Sequence, residues 1–186
     1  MDSEGDYSEA DQKIALALGV TLGTLAEKTS AELSRLYVRL RVGGGIFSGK
    51  PMTQDLVKAT RCEILPYLAA LIAILVENWP HRTNAPEPIL GLLEKTLFSF
   101  KLERVKPIYA HYLDRYYHPR HSDSAALPRV TIVHSEFCQR LAKIWCLFQR
   151  TTDSKTEEYA SSVGQLSQYI ESALTGALTG IWPETS

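Results

Sequence analysis

The residues best equipped for chemistry lie between Lys101 and His121. This stretch holds four of the nine tyrosines, Tyr109, Tyr112, Tyr116 and Tyr117. It also carries Lys101, Arg104, Lys106, Arg115 and Arg120, with His111, His118 and His121. At helical spacing Tyr109, Tyr112 and Tyr116 share one stripe, and His111, Arg115 and His118 share another. An aromatic stripe beside a basic one is suited to stacking bases and neutralising phosphates. The structural alternative is that the rings enter the core with their hydroxyls at its rim, leaving the basic face simply solvated.

A second candidate is Gly44-Gly45-Ile46-Phe47-Ser48-Gly49-Lys50. It has the GxxxxGK spacing with which backbone amides and a lysine cradle phosphates. The preceding Val38-Arg39-Leu40-Arg41-Val42 alternates like a strand. However, Pro51 stands where the magnesium-binding Ser or Thr belongs, and no parallel sheet is in view. Nucleotide hydrolysis is therefore not expected. The segment reads as a glycine hinge between helices, flanked by Arg39, Arg41 and Lys50, which could touch a nucleic-acid backbone.

Histidine is the natural general base near neutral pH. Paired helical nucleases of the HEPN class carry an Arg, four to six residues, then a His. Arg104–His111, Arg115–His121 and Arg129–His134 all resemble that spacing. Three hits so close together show how unspecific the pattern is, and Pro107 and Pro119 interrupt the first two. His134 and Cys138, four apart, have ligand-compatible helical spacing, but they fall on an apolar face and read as a boundary His beside a buried Cys. No GxSxG motif and no singled-out carboxylate pair occurs. The expectation is no enzymatic activity, no metal and no cofactor.

These residues must be positioned by helices. Ile14, Leu18, Leu22 and Leu25 recur at helical spacing, with Gly19 and Gly23 on the same helix. The glycines read either as a close-packing site or as tolerated substitutions. Thr29 and Glu32 have capping-box spacing, so a second helix, or a continuation, carries Leu33, Leu36, Tyr37 and Leu40. Thr53 is a plausible N-cap for a helix to Asn78, kinked near Pro66. A helix spans 88–100, another follows Pro107 to Tyr117, and Val130–Val133 is ambiguous. Phe137, Leu141, Ile144, Trp145 and Phe148 define a helix to Arg150. Ser154 and Glu157 open a last one to Leu174, followed by an ALTG repeat. Trp79 and Trp182, beside prolines, are placed to close ends of the core.

The fold class is therefore all-α, a single-domain bundle of six or seven helices. Residues 1–8 read as an acidic disordered lead, 9–182 as the bundle and 183–186 as a tail. With 186 residues, 45% hydrophobic and 22% charged, the chain has the composition of an ordinary globular domain with a substantial core. The longest apolar run, Ile64–Val76, is too short for a membrane span and reads as a buried helix. Three cysteines without CxxC fit a reducing, cytoplasmic setting.

The net charge of −1 conceals a segmental pattern. Residues 1–14 carry −4, residues 15–100 carry +2, residues 101–150 carry +5 and residues 151–186 carry −4. A basic block between acidic ends suggests a charged partner. The functional expectation is a non-enzymatic helical subunit that contacts RNA or single-stranded DNA, and protein neighbours, in a larger assembly without a membrane. Small helical subunits of CRISPR interference complexes are similar in size and all-α character and bind RNA or displaced DNA through basic faces. That likeness is architectural, and no residue motif carries it. The alternatives are a protein–protein adaptor or homo-oligomer without nucleic acid, and the HEPN-like ribonuclease.

Overall fold

A computed structural model describes residues 7–42, 52–99, 105–120, 127–149 and 155–183. Among them are six helices and no strand: α1 (Glu9–Val42), α2 (Gln54–Asn78), α3 (Pro86–Ser99), α4 (Lys106–Tyr117), α5 (Arg129–Gln149) and α6 (Thr156–Ile181). The all-α bundle expected from the sequence is observed.

The centre of the bundle is α2, which touches each of the other five helices. Its sequence explains this position. From Tyr67 to Ile74 every residue is buried, so no face is left for water. A helix that is apolar all round has to be enclosed. It is the one described helix long and apolar enough to cross a membrane, yet 72% of its apolar window is buried among the other helices. Thr53 caps it, its hydroxyl accepting from the Leu56 N–H at 3.3 Å. At the other end Arg82 donates to the carbonyls of Val76 and Glu77, the latter at 2.8 Å. A cation there also suits the negative end of the helix dipole.

Around α2, α1 packs on α3 and α6, and α5 packs on α4 and α6. The inward stripe of α1 is Leu18, Leu22, Leu25, Leu33 and Tyr37. Tyr37 meets Trp145 of α5 edge-on at 5.3 Å, and Trp145 meets Tyr159 of α6 at 6.0 Å. Tyr67 of α2 stacks on Phe137 of α5, with ring centroids 3.9 Å apart. Burying each such side chain contributes roughly 1.5–3 kcal/mol.

Several local expectations change. Of the two readings at Thr29–Glu32, a second helix or a continuation, the continuation is observed: α1 runs through it, and Thr29 is buried in its interior. The strand-like alternation of residues 38–42 is helix to Val42, because alternation over five residues cannot override a helix already thirty residues long. The β-branched Val130–Val133 belongs to α5, where Ile132 and Val133 are buried. The last helix passes Leu174 and takes both ALTG copies into α6. Gly19 and Gly23 make no close packing: a Cβ at either would have nothing within 4 Å. Trp79 and Trp182 are the C-cap residues of α2 and α6, and Trp182 is buried.

Candidate interaction surfaces

The tyrosine-rich segment is α4, a short helix held between three neighbours. Val105 precedes it without a side-chain cap, and Pro107 occupies its first turn. Five polar groups along it meet carboxylates from other helices. The Tyr109 hydroxyl donates to Glu94 of α3 at 2.8 Å. Tyr112 donates to Glu63 and Tyr117 to Glu77, both on α2. His111 Nε2 and Arg115 Nε donate to the two oxygens of Glu136 on α5, at 3.0 and 3.2 Å. Burial, followed by the neighbouring carboxylates, pushes the phenols of Tyr109, Tyr112 and Tyr117 above their ordinary value, so they remain donors. Burial opposes the charge on Glu136, but the bonds from His111 and Arg115 outweigh it and hold the carboxyl below its usual range.

This arrangement corrects the stripe reading for three residues. Tyr109, Tyr112 and Arg115 are buried at 6%, 0% and 5% exposure. All three face inward, and neither tyrosine ring is open to a base. The four acids that hold α4 were not singled out in the sequence. Glu63 had a detectable signature: a carboxylate at the edge of an apolar run on a helix that must be buried requires a partner. That partner is Arg140 of α5, whose Nε and Nη2 donate to Glu63 at 2.5 and 3.2 Å.

The remaining expected contact residues are dispersed. Arg39 is exposed near the end of α1 and Lys106 is exposed at the start of α4. Tyr116 is half-buried, edge-on to Tyr117 at 5.1 Å. The side chain of Arg41, together with Lys50, Lys101 and Arg104, lies outside the described residues, as do the glycine loop and His121. Arg115 and Arg120 are brought together. They line a polar hollow of about 250 Å³ between α4 and α5, with Ser135, Glu136 and Gln139. Gln139 also borders the next hollow along α5, which Lys143 and Thr156 line.

Of the three Arg–His spacings, only Arg129–His134 lies wholly within the described residues. Arg129 is exposed while His134 is buried, so the two point apart. His134 Nδ1 bonds to the Tyr67 hydroxyl at 2.5 Å, and its Nε2 lies 3.5 Å from Glu171 of α6. A proton on Nε2 toward Glu171 leaves Nδ1 as acceptor for Tyr67. Burial holds this imidazole below its ordinary pKa, against Glu171, and pushes the Cys138 thiol up to about 11. Among the described residues no three His, Cys, Asp or Glu side chains converge as metal ligands would.

A further hollow among the described residues is apolar. A groove of about 520 Å³ runs between α1 and α3, with Leu65 of α2 at its floor and Leu92 and Leu93 on its far wall. Its near wall is Leu16, Gly19 and Val20 of α1. Leu16 and Val20 are 70% and 61% exposed. The sequence carried the signal: both sit two residues from the buried Leu18, about 200° round the helix from the inward stripe. No family model, curated protein or solved structure matches this chain.

Proposed function

We propose that the chain is a non-enzymatic helical interaction subunit, which docks a protein element in the α1/α3 groove. The observation that carries this reading is the pair Leu16 and Val20, large aliphatic side chains held in water at the lip of an apolar hollow. An apolar groove rimmed by polar residues is a surface for a helix or strand bearing apolar anchors. The internal use of Tyr109, Tyr112 and Arg115 supports it, since the strongest alternative surface is spent on the fold.

A photo-crosslinking residue at Val20, introduced in cells, tests this. One discrete protein adduct is expected, absent when the same residue replaces the exposed Ser161 on α6. No adduct at Val20, or the same ladder at both positions, would overturn the reading.

A second reading has its own observation. Arg120, exposed beside the buried, Glu136-paired Arg115, lines a polar hollow that continues through Gln139 toward Lys143. That row supports contact with phosphates of RNA or single-stranded DNA, weakened by Glu136 and Glu157 on the same walls. Filter binding of both strands at two salt concentrations decides it. Retention that falls with salt, and falls further in Arg120→Glu, supports phosphate contact. No retention at low salt removes it.

A further inference from the structure

We infer that the occupant of the α1/α3 groove is the same groove of a second copy of this chain, the two α1 helices crossing antiparallel about Val20. The inference rests on the docking reading above and names its partner. Three observations on α1 carry it.

The first is shape. Leu16 and Val20 form a ridge, and beside it Gly19 and Gly23 leave a notch in which an added Cβ would meet nothing within 4 Å. One patch thus carries both a knob and a hole. A two-fold contact requires that combination, because the same surface must serve as both partners. With the helices antiparallel about Val20, Leu16 of each copy falls over Gly23 of the other.

The second is charge. Lys13 and Glu27 are exposed, and each lies seven residues from Val20 on the same stripe. Seven residues are nearly two helical turns. The crossing therefore sets Lys13 of each copy against Glu27 of the other, at both ends of the apolar centre. Glu9, which pairs with Lys13 at 2.6 Å within the chain, sits beyond the contact. A parallel arrangement would place Lys13 against Lys13 and Glu27 against Glu27.

The third is continuity. Leu92 and Leu93 of α3 flank the hollow and extend the apolar surface sideways from the α1 ridge. The ridge of the second copy would enter a trough with a wall on each side, not a single bare helix face.

The test is sedimentation equilibrium of the full chain, with helical content followed by circular dichroism. The wild type is expected at twice 20.8 kDa. Val20→Glu should weaken association about tenfold or more while leaving the spectrum unchanged. Lys13→Glu should weaken it about fivefold, and adding Glu27→Lys should restore it, since each pair is then reversed and intact. In a Cys62→Ser background, Val20→Cys should oxidise to a covalent dimer. A monomer at every soluble concentration overturns the inference, as does a dimer indifferent to Val20→Glu or not rescued by the charge exchange. If the chain is monomeric but Val20 still gives a discrete adduct of another mass in cells, the groove reading stands and only the second copy fails. If both are negative, both fail.

Discussion

Glu63 and Arg140 stand 77 positions apart and are joined by two hydrogen bonds that fix α5 against α2. Glu63 is almost wholly enclosed, its side chain 3% exposed, and it also accepts from Tyr112 of α4. One carboxylate therefore holds three helices, and the guanidinium lies 5.9 Å from the Tyr112 ring centroid. Glu63→Ala leaves a buried phenol and a guanidinium without their acceptor. Chemical denaturation should show a loss of about 3 kcal/mol. Glu63→Gln, which keeps the shape and one acceptor, should lose less. Equal losses would show that the charge on Glu63, not the retained shape and acceptor, is what matters at this site.

The acid side of the stability curve should depend on His134. Burial depresses its folded pKa, with Tyr67, Cys138 and Glu171 as its titratable neighbours. The unfolded imidazole takes a proton near its ordinary value of about 6.5, while the folded one resists it. Its contribution is therefore fully present above that value and is lost as pH falls toward the folded pKa. Unfolding free energy should decline from pH 7 to 5, and less steeply in His134→Asn. Parallel curves for the two proteins would remove His134 as the cause.

A second, lower window belongs to Glu136. Its carboxyl is held down by His111 and Arg115, so its stabilisation is present above the ordinary carboxylate pKa and fades as pH drops below it. Glu136→Gln should flatten the loss of stability below about pH 4.5 without altering the slope between 7 and 5. A variant that changes both windows equally would show that the two clusters titrate together.

Thiol reactivity separates the three cysteines. Cys62 is exposed, whereas Cys138 and Cys146 are buried. Because the thiolate is the reactive form, the raised pKa of Cys138 adds to its enclosure. Ellman's reagent should titrate one thiol rapidly in the native chain and all three in denaturant. Two fast thiols would mean that the α5/α6 contact opens on the timescale of the assay.

Trp145 is the largest fully buried side chain, packed between Tyr37 and Tyr159 with its indole N–H toward Thr60 at 3.4 Å. Trp145→Ala should cost about 3–5 kcal/mol, because rings from α1 and α6 lose the same partner. A loss below about 1 kcal/mol, measured by denaturant titration, would mean that the core closes over the vacancy.

The helices were legible because Leu18, Leu22, Phe137 and Trp145 recur at 3.6-residue spacing, a local property. Thr53 and Pro107 marked helix starts for equally local reasons. Thr29 left a second helix and a continuation equally open, because capping residues also occur inside helices when packing covers them. The site was harder to read. Spacing correctly put Tyr109 and Tyr112 on one stripe, but a stripe does not say whether it faces water or a neighbour. That depended on Glu63, Glu94 and Glu136, whose proximity to α4 is set by packing across the bundle. Leu16 and Val20 could have been found by turning the same wheel, since they lie off the inward stripe of their own helix.

The contact between α1 and α6 has a consequence for synthesis at the ribosome. The inward stripe of α1 leaves the exit tunnel well over a hundred residues before α6, which covers part of it. At about 5–20 residues per second, that is on the order of ten seconds of nascent chain with part of an apolar helix uncovered. Chaperone engagement, or early pairing with α2 and α3, has to fill that interval.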